Sequence, residues 1–137
     1  MKRSATAIWE GTGKEGSGHL ASQSGVLNKA RYSAKSRFED ENGTNPEELI
    51  AAAHAGCFAM KLGFILEKAG YTPDKLDVKC EITLEEGTIT QSHLTLKAGI
   101  KNIDESKFKE LAEEARKTCP VSKLLDTEIE LNATLVN

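Results

Sequence analysis

The stretch "NPEELIAAAHAGCFAMKL", residues 45–62, opens like a helix and continues as an almost uninterrupted apolar run. Asn45 is a capping residue, Pro46 suits the first helical position, and Glu48 completes an Asn-x-x-Glu variant of the capping box. Glu47 and Glu48 fall in the first turn, where the helix dipole favours negative charge. The apolar pattern carries on to about Ala69, and Gly70 supplies the stop. From Leu49 to Met60 there is almost no charged face, so protein is expected to surround the helix. One small sheet cannot do that, and a second subunit is the natural cover. Within this run, Leu49, Ala53, His54, Cys57 and Met60 or Lys61 fall close to one face. A histidine and a cysteine there serve either packing or chemistry.

The rest of the chain reads as α+β. Before the helix come short strands and turns, "SATAIWEG", "HLASQSGVL" and "RYSAKSRFED", the first two separated by the bend "GTGKEGSG". No helix pattern follows those glycines, so the bend reads as a hairpin loop rather than a phosphate cradle. After the helix, Val78, Cys80, Ile82 and Leu84 alternate with polar residues, "EEGT" turns the chain, and Leu94, Leu96, Ala98 and Ile100 alternate again. "DESKFKELAEEARKT" is an amphipathic helix ended by Thr118-Cys119-Pro120, and Pro120 opens a short turn, "PVSKLL". Ile129, Leu131, Ala133 and Leu135 mark a final strand. No repeat, low-complexity tract or linker divides residues 1–137, so they read as a single domain.

Composition narrows the function class. A charged fraction of 28% and a hydrophobic fraction of 39% suit a soluble globular chain. No segment reads as an apolar run long enough for a membrane span, and the N-terminus lacks the apolar region of a signal peptide. A cytoplasmic protein is therefore expected, without a membrane partner. A net charge of −3 with mixed signs argues against nucleic acid. Three cysteines in a reducing compartment are core thiols, metal ligands or reactive thiols, not a disulfide framework.

Each cysteine reads differently. Cys80 is in register with core residues of its strand, where a small apolar thiol packs well. Cys119 stands at the start of a helical turn, where free N–H groups and the dipole favour a thiolate. It also gives Cys57 a partner on a separate helix, so the two can meet as attacking and resolving thiols. An unperturbed thiol is only roughly 3% ionised at pH 7, and burial lowers that further, so a cationic neighbour is required. Arg37 is the candidate, on a strand leading into the helix. Glu47 is about 15 Å of helix rise from Cys57 and cannot act on that thiol directly unless the chain folds back or another subunit intervenes. It is either a plain dipole carboxylate or the bidentate partner that holds Arg37.

"RFEDENGTNPEELIAAAHAGCFAMKL", residues 37–62, followed by "CPVSKLL", residues 119–125, resembles the OsmC/Ohr family of thiol-dependent hydroperoxide reductases. The histidine in "AAAHAGC" and the upstream "RFE" favour the OsmC branch. The resemblance implies an intertwined homodimer, with two sheets packed around long central helices. It implies that Cys57 attacks a hydroperoxide and that Cys119 captures the sulfenic acid as a disulfide. It also implies that Arg37 and Glu47 activate the thiol, from the same chain or the partner. No metal or other cofactor is called for, and the reductant is an external dithiol such as a lipoylated protein or lipoamide. Two other readings remain: a thiol redox sensor or stress-associated binding protein without turnover, and a zinc site on His54, Cys57 and Cys119. The zinc reading lacks a clear fourth ligand.

Overall fold

A computed structural model of the chain describes residues 1–38 and 42–137. These form two compact units, Met1–Leu49 and Ile50–Asn137. The architecture is α+β, as expected, with a three-stranded sheet in each unit and a long helix.

In the first unit, β1 (Ala5–Glu10), β2 (Ser17–Ser22) and β3 (Ala30–Ser33) make an antiparallel sheet in that order. The glycine-rich bend is the β1–β2 hairpin loop, as its sequence suggests. Gly18 pairs with Trp9 on one side and Tyr32 on the other. A Cβ there would stand 2.1 Å from the Ile8 carbonyl oxygen, so the position excludes a side chain. The Trp9 and Tyr32 rings meet with centroids 5.3 Å apart. Among the described residues of this unit, the buried ones are polar, Ser36 and Thr44.

"RYSAKSRFED" departs from the expected strand. Its first residues complete β3, and Ala34–Phe38 then form a short helix, α1. The cause is local: Ser36 N–H donates to Ser33 Oγ at 3.1 Å, and Ser33 N–H donates to Ser36 Oγ at 2.8 Å. This reciprocal capping pair turns the backbone into a helix. Residues 39–41, which include the end of that stretch and the first residue of "ENGTN", lie outside the described residues.

The long helix α2 (Pro46–Lys68) begins at the end of the first unit and belongs to the second from Ile50. Asn45 caps it, its Oδ1 accepting from Glu48 N–H at 2.8 Å. Glu48 does not close the capping box; its carboxylate accepts from the Thr44 hydroxyl at 2.7 Å. At the other end Gly70, at φ +92°, closes a Schellman motif: its N–H donates to Glu67 O, and Tyr71 N–H donates to Leu66 O. Contrary to expectation, α2 is long and apolar enough to cross a membrane by length and composition, with a mean hydropathy of 1.8. Its leucines, isoleucines and phenylalanines, together with the alanines between them, produce that value. One stripe of it, His54, Phe58, Leu62 and Leu66, is fully buried within the protein.

The second sheet has the order β4 (Pro73–Glu85), β5 (Thr88–Ile100), β6 (Glu128–Leu135). β4 and β5 are an antiparallel hairpin, turned at Glu86 and Gly87, both with positive φ as a type I′ turn requires. β6 pairs parallel to β5 after a crossover through α3 (Glu105–Thr118) and α4 (Pro120–Leu124). Ser92, Leu94, Leu96, Ala98 and Ile100 of β5 are all fully buried on one face. The α2 stripe and the α3 residues Phe108, Leu111, Ala112 and Ala115 complete that core. Replacing Leu62 by alanine is expected to lower the unfolding free energy by about 2–5 kcal/mol. Val26→Ala, at an 86% exposed site, should stay within about 0.5 kcal/mol. Urea unfolding of the two variants measures both values.

Candidate thiol site

α3 is capped by Asp104, whose Oδ1 accepts from Lys107 N–H at 2.7 Å. It ends at Cys119 because the next residue is proline, which disfavours a helical residue before it. Cys119 is extended (φ −65°, ψ 139°) and caps both helices: its N–H donates to Ala115 O at 3.0 Å, and its Sγ accepts from Ser122 N–H at 3.4 Å. The Cys119 thiol is fully buried.

Cys57 lies beside this turn. Burial pushes its thiol up from the ordinary cysteine range, and the Val121 N–H pulls it back down by hydrogen bonding. Neighbouring Cys119 raises it further by charge and by hydrogen bonding, and Lys61 lowers it slightly. Cys57 and Cys119 are thus brought together, both as free thiols. The same groups leave Cys57 harder to ionise than a cysteine in water.

Arg37 and Glu47 are brought together in the first unit. Arg37 Nε approaches both carboxylate oxygens of Glu47, at 3.0 and 3.2 Å. One nitrogen serves both oxygens, in place of the two-nitrogen fork expected from sequence. Arg37 stands on α1 rather than on a strand. The Ser36 hydroxyl donates to Thr44 O at 2.9 Å, and Asn45 Nδ2 donates to Ser36 O at 3.1 Å, which ties α1 to the start of α2. Arg37 also lines a pocket with Trp9, Tyr32, Ala34 and Pro46.

His54 is fully buried, and burial lowers its proton affinity. Its Nδ1 shares a 2.5 Å hydrogen bond with Ser92 Oγ, and its Nε2 a 2.7 Å hydrogen bond with Ser122 Oγ. With both nitrogens occupied by hydroxyls, the imidazole offers no free lone pair to zinc. Ser122 Oγ lies 3.0 Å from Cys119 Sγ, and Ser92 Oγ lies 3.2 Å from Cys80 Sγ. Cys80 packs against the core as expected; burial raises its thiol, the Ser92 hydroxyl lowers it and Glu81 raises it. Ser92 and Ser122 did not stand out in the sequence reading. Ser92 was visible as the polar residue next in period to Leu94, Leu96, Ala98 and Ile100 on β5, and Ser122 as the residue three beyond the cap.

Residues 39–134 match the model of the OsmC-like protein family. The chain belongs to the OsmC family. This OsmC-family chain is 42% identical to the peroxiredoxin OsmC of Escherichia coli K12 over 98% of its own length and 97% of that protein. It is 31% identical to the organic hydroperoxide resistance protein OhrB of Bacillus subtilis, over 83% of its length and 88% of that chain. Its fold is similar to the crystal structure of an OsmC-like protein from Mycoplasma pneumoniae, with a TM-score of 0.76, 19% identity and 100% and 99% of the two chains covered.

The pH dependence of stability follows from these shifts. Burial lowers proton binding by folded His54, so below about pH 6.5 the unfolded chain takes up the proton first and stability falls with falling pH. Burial raises Cys57 and Cys80, so above about pH 8.5 the unfolded thiols ionise first and stability falls with rising pH. Urea midpoints are therefore expected to be highest between these values, and His54→Gln should flatten the acid limb.

Proposed function

We propose that this chain, acting as a single OsmC-like domain in the cytoplasm, is a cysteine-based peroxidase that reduces organic hydroperoxides, and hydrogen peroxide as well. The observation that carries the reading is the pairing of Cys57 with Cys119 across α2 and the α3–α4 turn. The names of the two curated relatives, a peroxiredoxin and an organic hydroperoxide resistance protein, support it.

In this reading the Cys57 thiolate attacks the distal oxygen of the hydroperoxide. The O–O bond breaks, the alkoxide leaves and takes up a proton as the alcohol, and Cys57 becomes a sulfenic acid. Cys119 then displaces hydroxide from that sulfur, giving the Cys57–Cys119 disulfide and water. An external dithiol, of the lipoamide or lipoylated-protein kind, reduces the disulfide and is itself oxidised to a disulfide. No metal or organic cofactor takes part.

Burial opposes ionisation of Cys57, so the reaction needs a cation. Arg37, oriented by Glu47, is assigned that role, acting within one chain or between two. The aromatic pocket that Arg37 lines suits the apolar body of an organic hydroperoxide. A homodimer is part of the proposal. Met60 and Phe64 are 66% and 63% exposed on α2, beside the exposed Ala53 and Gly56, and such an apolar face calls for a cover.

Three results test this. Cys57→Ser should abolish peroxide consumption, while Cys119→Ser should consume about one equivalent and then stop, for want of a resolving thiol. Arg37→Ala should slow the peroxide step at pH 7 about tenfold or more, because a neighbouring cation favours the thiolate by at least about one pKa unit. Analytical ultracentrifugation should give a dimer that Phe64→Lys dissociates; a monomeric wild type contradicts the assembly.

A further inference from the structure

An unbroken line of hydrogen-bonding atoms runs through the second unit: Cys119 Sγ, Ser122 Oγ, His54 Nε2 and Nδ1, Ser92 Oγ, Cys80 Sγ. Its links measure 3.0, 2.7, 2.5 and 3.2 Å. His54 is fully buried, as is Ser92, and Ser122 is nearly so. The line meets Cys57 only through Cys119, the resolving cysteine, so its chemistry bears on the resolving step.

We propose that Ser122 and His54 accept the proton of Cys119 as it closes the disulfide onto Cys57. The proposal rests on the peroxidase reading for its biological setting, and it concerns the resolving step alone. With a hydrogen on Nδ1, His54 donates to Ser92, and Ser92 donates to Cys80. His54 Nε2 then accepts from the Ser122 hydroxyl, which in turn accepts from the Cys119 thiol. Each hydroxyl gives one hydrogen bond and receives one, so the line points in a single direction. One concerted shift takes the Cys119 proton to Ser122 and the Ser122 proton to Nε2. The imidazolium so formed donates to both serines, and Ser122 donates to the Cys119 thiolate.

The balance closes. The Cys119 sulfur supplies the electron pair of the new S–S bond, while the S–O bond of the Cys57 sulfenic acid breaks and hydroxide leaves. Cys119 sulfur is oxidised by one level and Cys57 sulfur is reduced by one. The proton held on His54 returns through Ser122 and combines with hydroxide as water. His54 touches neither reacting sulfur and acts through Ser122, as a positioning and proton-holding residue. The titratable groups around it are Cys80 from β4, Cys119 from the α3–α4 junction and Cys57 on its own helix. The lowered proton affinity of His54 suits a temporary holder, since the proton is readily released.

The test separates this inference from the peroxidase reading by using no peroxide. One equivalent of Ellman's reagent places thionitrobenzoate on Cys57, and Cys119 then expels it in a phase whose rate is independent of reagent concentration. Stopped-flow absorbance follows both phases for the wild type, Ser122→Ala, Ser122→Thr and His54→Gln. At pH 7 the second phase should slow on the order of 100-fold in Ser122→Ala and His54→Gln, and Ser122→Thr, which keeps the hydroxyl, should stay near the wild-type rate. Near pH 10, where hydroxide in solution can take the proton in place of the serine and histidine, the rates should converge. A second phase unchanged in Ser122→Ala at pH 7 overturns the proposal. So does slowing by the same factor at every pH, the mark of a displaced thiol. Should His54→Gln not fold, Ser122→Ala carries the same comparison. Peroxide consumption in the same preparation, scored separately, reports on the peroxidase reading.

Discussion

His54, Phe58, Leu62 and Leu66 must all lie against one face of a three-stranded sheet, and much of the second unit follows from that demand. Spaced by four, they form a single stripe on α2. β5 meets them with residues spaced by two, Ser92 through Ile100, every one fully buried. Each side of this contact carries one polar residue, and the two polar residues face each other. A buried imidazole without partners would cost several kcal/mol, so the stripe is in register only when His54 reaches Ser92. The polar pair thereby fixes the placement of a helix whose other contacts are non-directional.

The second constraint is the Cys119–Pro120 bond. Proline forces the preceding cysteine out of the helix, and the chain restarts one residue later. The break frees N–H groups at Val121 and Ser122, and the two thiols divide them: Val121 donates toward Cys57, and Ser122 toward Cys119. For Cys57 this does not outweigh burial, which is the largest influence on it. Local backbone geometry therefore positions both thiols, while burial keeps Cys57 hard to ionise.

Much of this was legible in the residues. The helix start at Asn45, its stop at Gly70, the 78–84 and 94–100 hairpin and the break at Cys119 all rest on short-range rules that tertiary contacts did not override. "SAKS" was read as strand because the reciprocal hydrogen bonds of Ser33 and Ser36, which cap α1, are visible only in the structure. Glu48 was assigned to the backbone, but the Thr44 hydroxyl competes for it. Cys57 and Cys119 stood out because a thiol is chemically distinctive. Ser92 and Ser122 did not, because serine is common and its significance lies in what stands 2.5 to 3.2 Å away, across 38 and 68 positions of chain. The role of His54 could not be read without them.

The Trp9–Tyr32 contact across Gly18 has an optical consequence. Trp9 is the only tryptophan in the chain, and it stands in the first unit. The apolar core of the second unit holds phenylalanines, with Tyr71 packed against it, and no indole. Indole emission from this protein is therefore a local gauge of the first sheet, silent about the interior that holds the thiols. Indole fluorescence follows the first unit alone while backbone dichroism averages over both, so the coincidence or separation of the two unfolding curves measures how far the units melt as one.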